Sequence, residues 1–476
     1  MPPGPDQNAT RIFYPFAYSL NLDPTDDPAC WYCLFQEYEN ELVPTKMAGS
    51  ESKSSENGLK KPEKKLRRCG GCKKAWFCNV QCQKLGWNDH AHECKATKRD
   101  KAGTTPGVQI RLLARTVVRH QQILSGEDKK VDNFYENRTH KRALMDLMSH
   151  ENDIRNDNNA MNSFNDAYDK MVQWCPLKQF TDKELVFQIY CRLRINKFTI
   201  PAHDGKSKIG SGLYPDLASY DHSCKPNAIY KCQTGFEMVL RSISDKIDID
   251  NTEETFVGYI DLLQGTPDRR CELKATWYFD CECERCTSQA DWLLLSIKCQ
   301  HCGAPIQIFG DGANYSGASD MAFECDQCKS ITNEMEVEKA CNAMANIQQI
   351  LETQVIEAES QPYEFANGLY EHYAELLPSI NVNLARLSRL CIRYASKADC
   401  RTLLKYYLLS LDAMRLCYAD NWPLAYHLAT IGMYAHALKQ TKMAQKYLLE
   451  ASDLLMKTVG QNDKMTIKIR DLLIGC

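Results

Sequence analysis

Net charge is nearly absent from this 476-residue chain: 58 Lys and Arg stand against 61 Asp and Glu, a balance of −3. That excludes bulk electrostatic capture of nucleic acid as its business. No run approaches the roughly 18 apolar residues of a membrane span. The opening MPPGPDQNATRIFYPF has neither the basic start nor the apolar stretch of a secretory leader. Glycine is scarce there too, with only Gly4 before Ile12 and no Gly-x-Gly element. What remains is ordinary globular composition, 44% hydrophobic and 25% charged, with length for two to four domains.

Cysteine is present in excess, 24 residues. Clustered C-x2-C pairs without a secretory signal read as metal sites in a reducing compartment, so cytoplasm and nucleus are the expected locations. Cys30, Cys33, Cys69, Cys72, Cys78, Cys82, His90 and Cys94 carry eight ligands, enough for two tetrahedral zinc sites. Cys281, Cys283 and Cys286 supply three thiolates and need a fourth, for which Cys224 is the candidate. Cys299, Cys302, Cys325 and Cys328 have zinc-ribbon spacing, and Gly303 suits the tight turn of the first pair. Four structural zinc ions are expected. The other nine cysteines, such as Cys175, Cys191 and Cys417, read as core or inert residues.

Residues 48–68, rich in Ser, Glu and Lys, read as a disordered insert within the zinc array. Its end, KKPEKKLRR, reads as a solvated basic run, with a nuclear localisation signal or nucleic-acid patch as the sharper alternative. Helical pattern follows from Pro106 to about Ile154, with Leu112, Leu113, Val117 and Val118 on one face and Arg and His opposite. Residues 160–174 and 184–193 also read as helices. FTIPAHDG, KIGSGLYPD, NAIYKC and FEMVLRSI read as strands and turns. From Val337 the chain is helical, and residues 424–455 have tetratricopeptide-like hairpin spacing.

The ligand order, Trp76–Phe77 and QKLGWNDHAHEC resemble a MYND finger. With DHSCKPN at residues 221–227, GYIDLL at 258–263 and FDCECERC at 279–286, the chain looks like the SET-and-MYND-domain (SMYD) family of protein-lysine methyltransferases. The resemblance implies an α+β, multidomain fold. A SET-type β fold would be split by the MYND finger (30–94) and a helical insert (104–175), after an N-terminal remnant (12–29). The SET core (183–263), post-SET zinc segment (268–290), zinc ribbon (296–330) and tetratricopeptide-like helical domain (335–476) would follow. It implies S-adenosylmethionine as cofactor and a lysine-bearing protein, histone or other, as substrate. It assigns Tyr259 as the catalytic tyrosine of the lysine channel. Phe198 and Trp277 become channel residues, and His150, Asn196, Asp221, His222 and Phe279 cofactor contacts. In the finger it pairs Cys30, Cys33, Cys78 and Cys82 on one zinc, and Cys69, Cys72, His90 and Cys94 on the other. Cys224 joins Cys281, Cys283 and Cys286 on the post-SET zinc.

Three departures bear on catalysis: no upstream Gly-x-Gly, Asp221 where the family has Asn, and Trp277 where it usually has a second tyrosine. The first predicts weak cofactor binding and an unpaired sheet edge. An impaired adaptor, holding a proline-rich peptide near Trp76, Lys73 and Lys74 on the finger and a second partner on the helical tail, is the alternative. Neither membrane nor sequence-specific DNA binding is expected.

Overall fold

The computed structural model describes residues 10–22, 28–35, 66–100, 103, 105–127, 142–201, 208–232, 236–244, 246–310, 322–353, 355–395 and 399–474. Most of the 48–68 insert lies outside them. The chain divides into two compact units. One is Ile12–Ser219 with Cys232–Val239; the other is Met1–Arg11, Tyr220–Lys231 and Leu240–Cys476. Among the described residues no helix is long and apolar enough to cross a membrane.

In the first unit, after β1 (Thr10–Phe13), β2 (Ala17–Leu20) lies antiparallel to β6 (Lys208–Leu213), which pairs on its other side with β5 (Lys197–Pro201). Gly210 lets β2 come close: a Cβ there would meet the Ser19 carbonyl at 2.3 Å. The finger contributes the hairpin of β3 (Arg67–Arg68) and β4 (Trp76–Phe77), then α1 (Val80–Leu85) and α2 (Trp87–Arg99). Leu66 is buried and Arg68 covers the Trp76 ring at 4.7 Å. The last three residues of the expected disordered insert are therefore ordered, because they pair with the finger's own strand. The helices are α3 (Val108–Leu124), α4 (Glu151–Asn156), α5 (Asn158–Trp174) and α6 (Lys183–Asn196). Asp157 caps α5 and Asp182 caps α6.

Helix α3 has its arginine face buried as well as its apolar one. Arg111 donates to the Leu20 carbonyl, Arg115 to the Tyr18 carbonyl at 2.8 Å, and Arg119 to the Phe16 carbonyl. Four residues of helix rise about 6 Å and two residues of strand about 6.7 Å, so one arginine per turn meets every second carbonyl of β2. β2 is an edge of its sheet, and the guanidinium groups take the carbonyls that an edge leaves open.

The second unit holds α7 (Thr266–Trp277) and α8 (Glu284–Thr287). The short ribbon strands β9 (Ile297–Lys298), β10 (Pro305–Ile306), β11 (Phe323–Glu324) and β12 (Ile331–Thr332) form two hairpins. Among the described residues eight helices follow: α9 (Glu334–Thr353), α10 (Pro362–Tyr373), α11 (Val382–Tyr394), α12 (Cys400–Leu409), α13 (Leu411–Tyr418), α14 (Trp422–Ala437), α15 (Thr441–Thr458) and α16 (Lys464–Ile474). Two further strands are β7 (Ala228–Cys232) and β8 (Met238–Ser242). Helices α14 and α15 pack as a hairpin, where Gly432 admits the Leu448 side chain. One core runs through Leu263, Leu273, Ala425, Leu428, Leu448 and Leu455.

Candidate metal centres and candidate active site

Four C-x2-C turns share one backbone form. The residue after the second cysteine, Leu34, Lys73, Gly303 or Lys329, has φ between 55° and 79°. Its N–H donates to the carbonyl of the first cysteine at 2.9, 3.0, 2.9 and 2.8 Å in turn. Both thiols are thereby aimed to one side of a tight loop. Glycine takes this left-handed conformation without strain, yet three of the four positions are not glycine. The ribbon's Cys325 turn holds Lys329 in the same geometry as the finger's Lys73, so ribbon and finger knuckles are alike in backbone.

The ligand atoms fall into four groups, each within 4.8 Å throughout: Cys30, Cys33, Cys78, Cys82; Cys69, Cys72, His90, Cys94; Cys224, Cys281, Cys283, Cys286; and Cys299, Cys302, Cys325, Cys328. A tetrahedron of ~2.3 Å zinc–sulfur bonds has edges of about 3.8 Å. The Sγ separations are 3.5 Å for Cys33–Cys78, 3.8 Å for Cys69–Cys94, 3.5 Å for Cys224–Cys286 and 3.6 Å for Cys299–Cys328. His90 Nε2 is 3.5 Å from Cys72 Sγ. These are spacings for a shared cation, and the thiols are unbridged. The donor chemistry fits zinc.

Local structure sets these positions. Asn79 caps α1 by accepting the Cys82 N–H, which anchors that ligand. Gly71 leaves room for Cys94 Sγ, which would lie 2.8 Å from a Cβ. Gln83 donates to Cys69 Sγ, and Ser330 contacts both Cys299 and Cys328. Burial lowers the His90 pKa to about 4, so the ring is the neutral ligand a metal requires. Burial, then the neighbouring thiolates, push Cys78 and Cys94 up to about 12. A cation at the centre removes that repulsion.

Cys175 and Cys417 are buried thiols pushed up to about 11, and Cys191 to about 12, in each case first by burial. They are unreactive core residues. Cys271, also among the nine, is exposed.

The Cys224 group adjoins Tyr259. His222 Nδ1 accepts the Tyr259 N–H at 3.0 Å, and Nε2 lies 3.2 Å from Cys224 Sγ. A backbone N–H only donates, so Nδ1 is unprotonated and the neutral ring donates its Nε2–H to sulfur. Both ring nitrogens are engaged. The main chain bridges in parallel from His222 to Val257, which brings the two segments together. Tyr259 donates its hydroxyl to the Tyr220 carbonyl at 2.7 Å, and its ring lies 5.3 Å from Trp277 and 5.3 Å from His222. Burial, then the Asp221 charge, raise the Tyr259 pKa above its ordinary value. Phe279 is 6.2 Å from His222. On the far side, buried Arg269 approaches Cys286 Sγ and pairs with Asp291 at 2.9 Å, which also takes Arg285 at 2.6 Å. Arg269, Arg285 and Asp291 had no sequence signal: single charged residues look solvated until the fold buries them.

The MYND finger family profile matches residues 57–94. Among curated proteins, N-lysine methyltransferase SMYD2-A of Danio rerio is 32% identical over 232 residues, 47% of this chain and 48% of the relative. N-lysine methyltransferase SMYD2 of Homo sapiens is 31% identical over 225 residues, again 47% and 48%. Histone-lysine N-methyltransferase SMYD1 of Homo sapiens is 31% identical over 253 residues, 50% and 48%. Over the matched half, the chain is similar to these SMYD proteins. The matched region spans about half the length of each of these relatives.

Of the other positions singled out by likeness to the SMYD pattern, three lie in the first unit. Asn196, the last residue of α6, donates its amide to the carbonyls of Met148 and Arg192, both at 2.8 Å. Phe198 packs edge-on against Tyr214 at 5.7 Å. His150 begins α4 in the left-handed conformation and meets Asp153 at 3.0 Å. Asp221, the departure from the SMYD asparagine, is exposed, and its carbonyl accepts the Val257 N–H.

Proposed function

We propose that this chain is an S-adenosylmethionine-dependent protein-lysine N-methyltransferase. In this reading a SET fold is split by the finger and the helical insert, and closed by the post-SET zinc segment. The ribbon and the tetratricopeptide-like helices follow, and the protein works in cytoplasm and nucleus. The observation that carries the reading is the join of Tyr259 to the Cys224 group through the two nitrogens of His222.

The residues of the second unit fit such a cofactor. Phe279 offers a half-buried ring for a purine, and Asp221 an exposed carboxylate for an ammonium group. When bound, the cofactor would supply a methyl group on a positively charged sulfur. The remaining work falls to the chain. The Tyr259 hydroxyl proton is committed to the Tyr220 carbonyl, so its oxygen faces an incoming amine as an acceptor. One amine N–H donated to that oxygen would orient the nitrogen and leave its lone pair free. The raised pKa keeps Tyr259 neutral near pH 7, so it positions and does not act as the base. The aromatic walls of Tyr259 and Trp277 exclude water and favour the uncharged amine. The substrate is a lysine-bearing protein, and the exposed Lys73 and Lys74 beside Trp76 are where a proline-rich partner would dock.

The test is calorimetric titration of the zinc-loaded chain with S-adenosylmethionine, followed by transfer of a labelled methyl group to lysine peptides and histones. Binding with label on the lysine side-chain nitrogen supports the reading. Neither binding nor transfer by fully zinc-loaded protein would sink it.

A further inference from the structure

Two residues beyond Tyr259 the chain is gripped by a helical residue with no role in the reading above. Tyr418 ends α13, and it is buried. Its phenolic oxygen accepts the N–H of Leu262 at 3.1 Å and of Leu263 at 3.2 Å, and its hydroxyl donates to Asp261 Oδ1. A phenol has one proton and two lone pairs, so all its capacity is spent on three consecutive residues. Asp261 in turn accepts Arg389 of α11 at 2.9 Å. The same segment is held by Arg285, which donates to the carbonyls of Leu262 at 3.0 Å and of Cys417, beside Tyr418, at 3.2 Å. Leu262 and Leu263 are buried; without Tyr418 the Leu263 N–H keeps Asp261 Oδ1 at 3.1 Å, while the Leu262 N–H has no water to turn to.

We propose that Tyr418 is a positioning residue: through the main chain of residues 261–263 it fixes the segment that carries Tyr259. The helical tail thereby sets the direction of the Tyr259 hydroxyl. This rests on the reading of Tyr259 as the catalytic tyrosine. Burial, then the Asp261 charge, keep the Tyr418 phenol protonated, as its donor role requires.

The experiment uses the full zinc-loaded chain and Tyr418→Phe, with two readouts. Amide hydrogen exchange of residues 258–264 reads the grip without any reaction. The kcat and KM for methyl transfer read its consequence. Exchange at Leu262 is expected to rise about tenfold or more and at Leu263, which keeps Asp261 Oδ1, by less, with the α14–α15 hairpin unchanged. The kcat is expected to fall by about tenfold while KM stays within about twofold. A merely structural residue would move exchange across all the tail helices and leave kcat per folded molecule intact. Unchanged exchange at Leu262, or faster exchange with unaltered kcat, overturns the proposal. If the parent chain transfers no methyl group, the proposed function falls, and exchange alone decides whether Tyr418 holds the segment. Should Tyr418→Phe not fold, Arg389→Gln carries the same readouts. Its side chain is half exposed, so a smaller rise of about threefold is expected, and none overturns the proposal.

Discussion

Arg115 meets Glu93 in a two-pronged pair, Nε to Oε1 and a second guanidinium nitrogen to Oε2 at 2.9 Å, with both side chains buried. Glu93 sits on α2 between the ligands His90 and Cys94, and Arg115 is the middle member of the arginine ladder on β2. Arg111 also lies 3.7 Å from Glu93. One carboxylate thus joins the second zinc group to the arginines that satisfy the sheet edge. Glu93→Gln leaves two buried guanidinium groups without a counter-charge, a loss of about 3–5 kcal/mol. Denaturant unfolding of the first unit's signal should show it. The double variant Glu93→Gln, Arg115→Met should lose less than the sum of the singles. A loss below about 1 kcal/mol would falsify the coupling.

Four ligand groups predict four zinc ions per chain. Elemental analysis of metal-loaded protein should give that number, and Cys302→Ser should lower it by one. The ribbon thiol is the informative choice because Cys302 is exposed, so its substitution disturbs little packing. An unchanged zinc content in the variant would remove the ribbon as a metal site.

His427 is buried and meets the Tyr407 carbonyl at 2.7 Å through Nε2. Burial lowers its pKa to about 4, against an ordinary 6.5. Between those values the unfolded chain binds a proton that the folded chain refuses. Stability present above about pH 6.5 is therefore lost as pH falls toward 4, by at most on the order of 3 kcal/mol. Gln can donate to the same carbonyl without titrating, so His427→Gln should flatten the helical tail's pH dependence over that window. Parallel stability curves for parent and variant would count against the assignment.

Tyr259→Phe should abolish methyl transfer and leave the fold intact. The lost hydrogen bond to the Tyr220 carbonyl is worth about 1 kcal/mol, which circular dichroism and thermal unfolding would register as a small shift. Near-parental turnover by the Phe variant would refute the role given to this hydroxyl.

Gly432→Ala should destabilise the α14–α15 hairpin. Alanine gains helix propensity of about 1 kcal/mol, but its Cβ would sit 2.6 Å from the Leu448 side chain and 3.1 Å from its backbone nitrogen. Overpacking of that kind costs about 1–3 kcal/mol, so a net loss or no gain is expected. A rise in the unfolding midpoint would show that the two helices can move apart freely.

The sequence alone was enough wherever the chemistry is local or bound to a spacing. A C-x2-C pair closes one turn whatever surrounds it, so the knuckles were legible from spacing, as was the α14–α15 hairpin from its apolar period. Tyr259 was singled out only through likeness to a family, since one tyrosine of 23 carries no mark of its own. Tertiary structure alone decided which charges are buried. Arg111, Arg115 and Arg119 could be read only as the face opposite the apolar one, because helical periodicity cannot tell water from a strand's carbonyls; only the nearby edge of β2 makes the difference. The same holds for Asp291 between two arginines, and for Tyr418, which meets residues 261–263 from more than 150 positions away. Spacing encodes what one turn of chain can do. Burial and long-range hydrogen bonds depend on which surfaces the whole chain brings together, and no local pattern records that.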